Sequence, residues 1–346
     1  EQAFALNPSV RVVVNVIALE SLHQIMEYCR AKEVEPEVSC IQVSRACVRG
    51  RYHMMEGQNP VYVISFGGLQ KEVKKEEEEN VAEKRQIPRI LIASPASGSG
   101  KTVITAGLLS LLKKRGIACA SFKCGPDYID PMFHTRVLGI PSVNLDSFFA
   151  EDEVLRYLFD RRMQQRYSEM SIAVLEGVMG YYDGLAGRSI KGSTCDIAKI
   201  TDTPVILCID TKGMSLSVVP YVKGFLEYIP DSHIQGVILN RCSKGMYPIL
   251  KELLETQLNI AVIGYMPVLE DCELPSRHLG LYLPQEIQDF QQKVERIADT
   301  LADTLDMECL LGLAKSAPAL ETKAPDNWSG ILQQTEPVIR IAIAWD

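Results

Sequence analysis

The sequence predicts an α/β fold with a mainly parallel sheet and helices on both faces. Short apolar runs recur at 89–93, 118–122, 172–175, 204–209, 235–239 and 260–264, and none of them alternates apolar with polar residues. Strands that are apolar on both sides belong to a parallel sheet covered twice. The segments between the runs are of helix length, as parallel crossovers require.

A chain of 346 residues with 47% hydrophobic residues has room for two domains and a sizeable core. Its net charge of -8 excludes bulk attraction to nucleic acid or to an anionic membrane, so any anionic ligand must be held by local donors. The ten cysteines form no C-x-x-C pair and no zinc-spaced cluster, which fits reduced thiols and a cytoplasmic protein. No apolar stretch reaches the roughly 20 residues of a membrane span.

Along the chain, residues 1–69 hold strand candidates at 10–17, 38–43 and 61–65 and a helix at 19–32. That is too little for a domain and reads as a partial Rossmann-like unit whose beginning precedes Glu1. Residues 70–86 are charged throughout and read as a solvated linker. The sheet domain is expected over 87–313, closed by helical spacing at 284–313, and 314–336 reads as a second linker. Residues 337–346 open a fresh strand, the start of a further domain.

The stretch SPASGSGKT, 94–102, follows the first run of the sheet domain and opens a helix. Strand, glycine-bearing loop and helix in that order make a phosphate-binding loop. Backbone N–H groups of Ser97, Gly98, Ser99 and Gly100, the helix N-terminus and the Lys101 ammonium would face phosphate, and the Thr102 hydroxyl would face a magnesium ion. Pro95 stands where G-x-x-x-x-G-K-[ST] has its first glycine, which removes one N–H at the loop entrance only. Ala96 occupies the place of a second lysine in partitioning-type ATPases, which argues against that class.

Glu176 ends the run 172–175 beside this loop, where a magnesium ligand belongs. Asp183 follows in EGVMGYYDG as a metal or substrate contact. In FKCGPDYIDPMFH, 122–134, the residues Lys123, Asp127, Asp130 and His134 project near the same sheet edge, and Lys123 could bridge nucleotide and an anionic acceptor. GSTCDIAK, 192–199, begins a helix at Thr194 or Cys195, whose N-terminus could bind an anionic group. Asn240, after the run 235–239, is placed either to read a base edge or to hold structure. No nucleophile elbow is visible, so the chemistry expected is phosphoryl transfer.

The motifs SPASGSGKT, KCGPDYIDPMFH, EGVMGYYDG, GSTCDIAK, GVILNR and LPSRHLGL stand in the order of the cobyrinic acid a,c-diamide synthase family, which the chain resembles over 87–313. The likeness implies a P-loop NTPase fold similar to dethiobiotin synthetase. It also implies ATP and Mg2+ as cofactors and amidation of corrin carboxylates through an acyl phosphate, in cobalamin biosynthesis. It implies catalytic roles for Lys101, Lys123, Asp127 and Asp130. Thr102 and Glu176 become metal ligands, and Tyr128, Asp130, His134, Asp183 and Ser193 substrate contacts. VIRIAIAWD resembles the first strand of that family's glutaminase domain, so ammonia from outside this chain is expected. Residues 1–69 resemble the end of a decarboxylating precorrin methyltransferase. Nickel-sirohydrochlorin diamidation and a non-catalytic nucleotide switch remain alternatives, and the oligomeric state is open, a homodimer included.

Overall fold

The computed structural model describes residues 11–16, 19–32, 34–41, 44–49, 52–57, 61–67, 83–127, 129–166, 171–270, 272 and 284–325. The chain divides into two units, 1–78 and 79–346.

In the first unit, β1 (Arg11–Val16), β2 (Glu37–Ile41) and β5 (Val61–Gly67) form a sheet ordered β1-β5-β2, and β3 (Ser44–Arg49) pairs with β4 (Tyr52–Gly57) as a hairpin. Helix α1 (Leu19–Ala31) packs through Leu22, Ile25 and Cys29 against Ile64 and Phe66. All these described pairings are antiparallel. The hairpin was invisible in sequence because its strands mix charged and apolar residues without a strict period.

The second unit begins with β6 (Glu83–Arg85), inside the expected linker, which pairs antiparallel with β14 (Leu320–Thr322), inside the other expected linker. Seven strands then form one parallel sheet: β7 (Arg89–Ala93), β8 (Cys119–Cys124), β9 (Ser142–Leu145), β10 (Ile172–Glu176), β11 (Val205–Asp210), β12 (Ile234–Asn240) and β13 (Ala261–Met266), in the order β13-β12-β11-β7-β10-β8-β9. Chain order reverses direction about β7, so the crevice at its carboxyl end is the topological switch point where such sheets bind ligands.

Helices α2 (Lys101–Lys114), α8 (Pro284–Thr304) and α9 (Met307–Ser316) share one core with Ile90, Ile92, Val174 and Ile206. The other face packs Leu91, Phe122, Leu175 and Leu207 against α4 (Asp152–Arg166), α5 (Thr194–Ile200), α6 (Val218–Glu227) and α7 (Tyr247–Leu258). Successive strand residues thus feed opposite cores, which is why the sequence runs are apolar without alternation. The short α3 (Ile129–Phe133) passes directly into a single π turn, His134–Leu138. Cys29, Cys119, Cys124, Cys195, Cys208, Cys242, Cys272 and Cys309 are free thiols. No described helix is long and apolar enough to cross a membrane.

Arg89 is fully buried at the start of β7. Its guanidinium donates to the carbonyls of Ile87 (2.8 Å), Thr201 (2.9 Å), Asp202 (3.1 Å) and Pro318 (2.8 Å), joining the sheet, the end of α5 and the segment before β14. Burial lowers its pKa to about 10, against the pull of Asp202, and it stays cationic at neutral pH. Arg89→Met should leave these carbonyls without their donor and lower the stability of this unit by roughly 3 kcal/mol, read as a shifted midpoint in urea unfolding.

Candidate nucleotide site and its carboxylate cluster

The loop from Ser94 to Gly100 leaves β7 at the switch point and enters α2 through Gly100, which holds φ 96° and gives the helix no side-chain cap. The first-turn amides of α2 therefore keep their donors unengaged by a cap, as an anion site needs. Outward contacts hold the loop's carbonyls in place. The Ser99 carbonyl accepts from Asn240 Nδ2 at 2.9 Å and from the Cys208 thiol at 3.3 Å. The Gly98 carbonyl accepts from Arg241 at 3.4 Å, and Arg241 is itself anchored on Asp210. A Cβ on Gly100 would lie 2.2 Å from Asn240 Nδ2, so glycine is required there by space as well as by φ.

Lys101 is buried, and its ammonium donates to Ser94 Oγ (2.7 Å), the Met179 carbonyl (2.6 Å) and the Ala96 carbonyl (3.4 Å). These are neutral acceptors. Burial, then the nearby Lys123, lowers its pKa, with Glu176 pulling the other way.

Thr102 donates its hydroxyl to Glu176 Oε1 at 2.6 Å. The same oxygen accepts from Lys123 Nζ at 3.0 Å, and Lys123 also donates to Asp130 Oδ2 at 2.5 Å and to the Gly177 carbonyl at 3.1 Å. Burial would lower the Lys123 pKa, but the Glu176 and Asp130 carboxylates outweigh it and raise the value, so the ammonium is firmly charged. Burial and then Glu176 raise the Asp130 pKa, against Lys123. Asp127 lies 3.9 Å from Lys123 and caps its own turn through the Ile129 N–H.

The remaining candidates fall around this cluster in different ways. His134 is fully buried, with Nδ1 2.8 Å from Ser121 Oγ and Nε2 3.4 Å from Glu176 Oε2. This corrects the expectation of a direct substrate contact, because no part of the ring reaches the surface. Burial lowers its pKa to about 4, so the imidazole is neutral.

Asp183 Oδ2 accepts from the Gly180 N–H, and Ser193 is buried as the N-cap of α5, accepting from the Asp196 N–H. Ser193 thus holds a helix end. Tyr128 lies outside the described residues, as does the motif LPSRHLGL. Sequence reasoning missed Ser94 and the Met179 carbonyl as partners of Lys101. It also missed Thr194, whose hydroxyl clamps the backbone of Val178 on both sides. Serines, threonines and carbonyls carry no signature until the fold brings them together.

Two cavities flank the loop. One of about 260 Å³ lies beside Gly98, Gly100, Val103, Asn240 and Met266. Another of about 540 Å³ is lined by Pro95, Tyr182, Asp183, Arg188, Tyr221 and Tyr228, among others. Among the described residues no three His, Cys, Asp or Glu side chains gather into a metal cage. A hydroxyl and a carboxylate oxygen 2.6 Å apart at the helix start instead suit magnesium, which takes one or two protein oxygens and completes its shell with phosphate and water.

A parallel sheet with this loop at its switch point defines an α/β nucleotide-binding domain of the P-loop kind. The chain belongs to the CobQ/CobB/MinD/ParA nucleotide binding domain family, whose profile matches residues 90–281. The Cobyrinate a,c-diamide synthase of Listeria innocua serovar 6a is 42% identical over 68% of this chain and 51% of its own length. The Hydrogenobyrinate a,c-diamide synthase of Streptomyces coelicolor is 37% identical over 74% of this chain and 52% of its own. This chain therefore spans about half the length of the curated relatives it matches. A solved Precorrin-6y C5,15-methyltransferase from Geobacter metallireducens is 31% identical over 17% of this chain and 29% of its own, at a TM-score of 0.15. That score is too low to carry an argument.

Gly100→Ala should force the loop off Asn240 and weaken nucleotide binding at least about tenfold, equivalent to the loss of roughly one to two good hydrogen bonds. A fluorescent-nucleotide titration measures it, with circular dichroism confirming that the fold is retained.

Proposed function

We propose that this chain catalyses ATP-dependent amidation of carboxylates on a corrin ring, activating each carboxylate as an acyl phosphate. The observation that carries the reading is the cluster Thr102–Glu176–Lys123–Asp130, which lies against the phosphate loop and offers a fixed cation where an anionic acceptor would meet the nucleotide. The relatives named for cobyrinate and hydrogenobyrinate favour a corrin over nickel-sirohydrochlorin.

A carboxylate is a poor electrophile because its negative charge repels nucleophiles. One of its oxygens attacks the terminal phosphorus of ATP, and ADP leaves. Ammonia then attacks the acyl carbon, loses a proton and expels phosphate, which carries away the oxygen that came from the carboxylate.

In this reading the amides at 98–102 and Lys101 hold the phosphates and neutralise the charge that gathers in transfer. Thr102 and Glu176 hold Mg2+, which would supply further charge neutralisation. Lys123 lies between the two anions and aligns them, while Asp130 and Asp127 fix Lys123 and its loop. Asn240 borders the smaller cavity, which suits the base and ribose. The aromatic walls and Arg188 of the larger cavity suit an apolar ring edged with carboxylates.

The test is incubation of the chain with cobyrinate labelled with 18O in its carboxylates, Mg2+, ATP and an ammonium salt. Amide by mass spectrometry and 18O in the released phosphate are expected. ATP hydrolysis indifferent to cobyrinate, with no amide, would establish a nucleotide switch instead. Lys101→Ala should reduce amide formation roughly 100- to 1,000-fold, the usual effect of deleting one principal charge-stabilising group.

A further inference from the structure

Two side-chain atoms at the heart of the cluster are fully buried and lack a hydrogen-bond partner of acceptable geometry: His134 Nε2 and Glu176 Oε2. They lie 3.4 Å from each other. Leaving either one unpaired is costly, and leaving a carboxylate oxygen unpaired is costlier still. A neutral imidazole carries one N–H, and its placement decides the outcome. With the proton on Nδ1, the ring donates to Ser121 Oγ, and the Nε2 lone pair then faces the carboxylate, leaving both atoms unsatisfied. With the proton on Nε2, a small turn of the ring that closes the 3.4 Å gap lets one hydrogen bond satisfy both.

The second arrangement requires Ser121 to donate to Nδ1. Ser121 Oγ is 2.8 Å from Nδ1 and donates to Ser142 Oγ at 3.0 Å, so its one hydroxyl hydrogen must swing from Ser142 to Nδ1, exchanging one hydrogen bond for a shorter one. The π turn begins at His134, and single π turns of this kind are often found at functional sites.

We propose that His134 is a positioning residue: held as its Nε2–H tautomer by Ser121, it donates to Glu176 Oε2 and thereby turns Oε1 toward Thr102 and Lys123. The carboxylate is then pinned by one oxygen and presents the other. This rests on the reading of Glu176 as a magnesium ligand only for its functional consequence, because the tautomer itself can be observed in the protein alone.

Long-range 1H–15N correlation spectra of the uniformly 15N-labelled chain should show His134 protonated on Nε2 and bare on Nδ1. The opposite tautomer would overturn the proposal whatever the protein's activity. Ser121→Ala should weaken or reverse that preference, and an unchanged tautomer would remove Ser121 from the scheme.

Function adds a second arm. Supporting partners of metal ligands are typically worth 10- to 100-fold in metal affinity. His134→Leu should therefore raise the Mg2+ concentration for half-maximal ATP hydrolysis about 10-fold or more, while His134→Gln, which retains an N–H donor, should recover most of it. Equal Mg2+ dependence in both variants, with only the unfolding temperature changed, would mean that His134 merely fills space. If the leucine variant does not fold, Ser121→Ala carries the same comparison, with a smaller rise in the Mg2+ requirement expected and none counting against the proposal.

Discussion

Glu176 holds a carboxylate at zero exposure at the end of β10, and the carboxyl edge of the sheet is organised around keeping it there. A charge so placed is tolerable only when paired and hydrogen-bonded, since its desolvation would otherwise cost several kcal/mol. Its partners come from α2, β8 and the turn after α3. In sheet register Glu176 stands opposite Ile92 on one side and Lys123 on the other, so the salt bridge is a cross-strand pair built into the parallel ladder. A slip of one residue would turn Lys123 to the opposite face and leave the carboxylate bare.

This arrangement also sets what can bind. Lys101 and Lys123 bring two positive charges, and Glu176 and Asp130 two negative ones, so the cluster is internally near neutral. Asp127 adds a further negative charge at 3.9 Å. A polyphosphate therefore finds little net attraction in the side chains alone, and the chain's overall charge of -8 repels it at a distance. The uncapped amides of α2 and a divalent cation carried in with the phosphates are what remain to tip the balance. In the proposed reading, cation and nucleotide would accordingly arrive as one unit.

The parallel strands were legible because each is buried on both faces. The exception, β9, is an edge strand with only Leu145 fully buried, so it leaves no apolar run to read. The pairing of β6 with β14 was illegible for another reason: its residues are mostly polar, and it exists because the guanidinium of Arg89 and the amide of Gln86 tie the end of the chain's last described helix to the sheet. At the site, the loop, Lys123 and Glu176 could be read because strand ends and a glycine-bearing turn have local signatures. The inward turn of His134 could not, since FKCGPDYIDPMFH gives no sign that a π turn follows Phe133.

The loop entrance at Pro95 is held by contacts across the crevice rather than within the loop. The loop is bonded to the segment after β10 at both ends: Tyr181 N–H donates to the Ser94 carbonyl at 2.8 Å, and the Lys101 ammonium donates to the Met179 carbonyl. The Pro95 carbonyl approaches Gly180 so closely that a Cβ there would lie 2.5 Å away, so the opposing glycine concedes the space. Met179, which supplies the carbonyl, holds φ 50°, a conformation that costs a non-glycine residue about 1 kcal/mol or more. A phosphate that draws on Lys101 competes with that carbonyl, and any release of it acts on the backbone leading to Tyr182 and Asp183 in the wall of the larger cavity. In the proposed reading, nucleotide and acceptor would thus meet on the two sides of one loop, whose Pro95 itself lines the larger cavity.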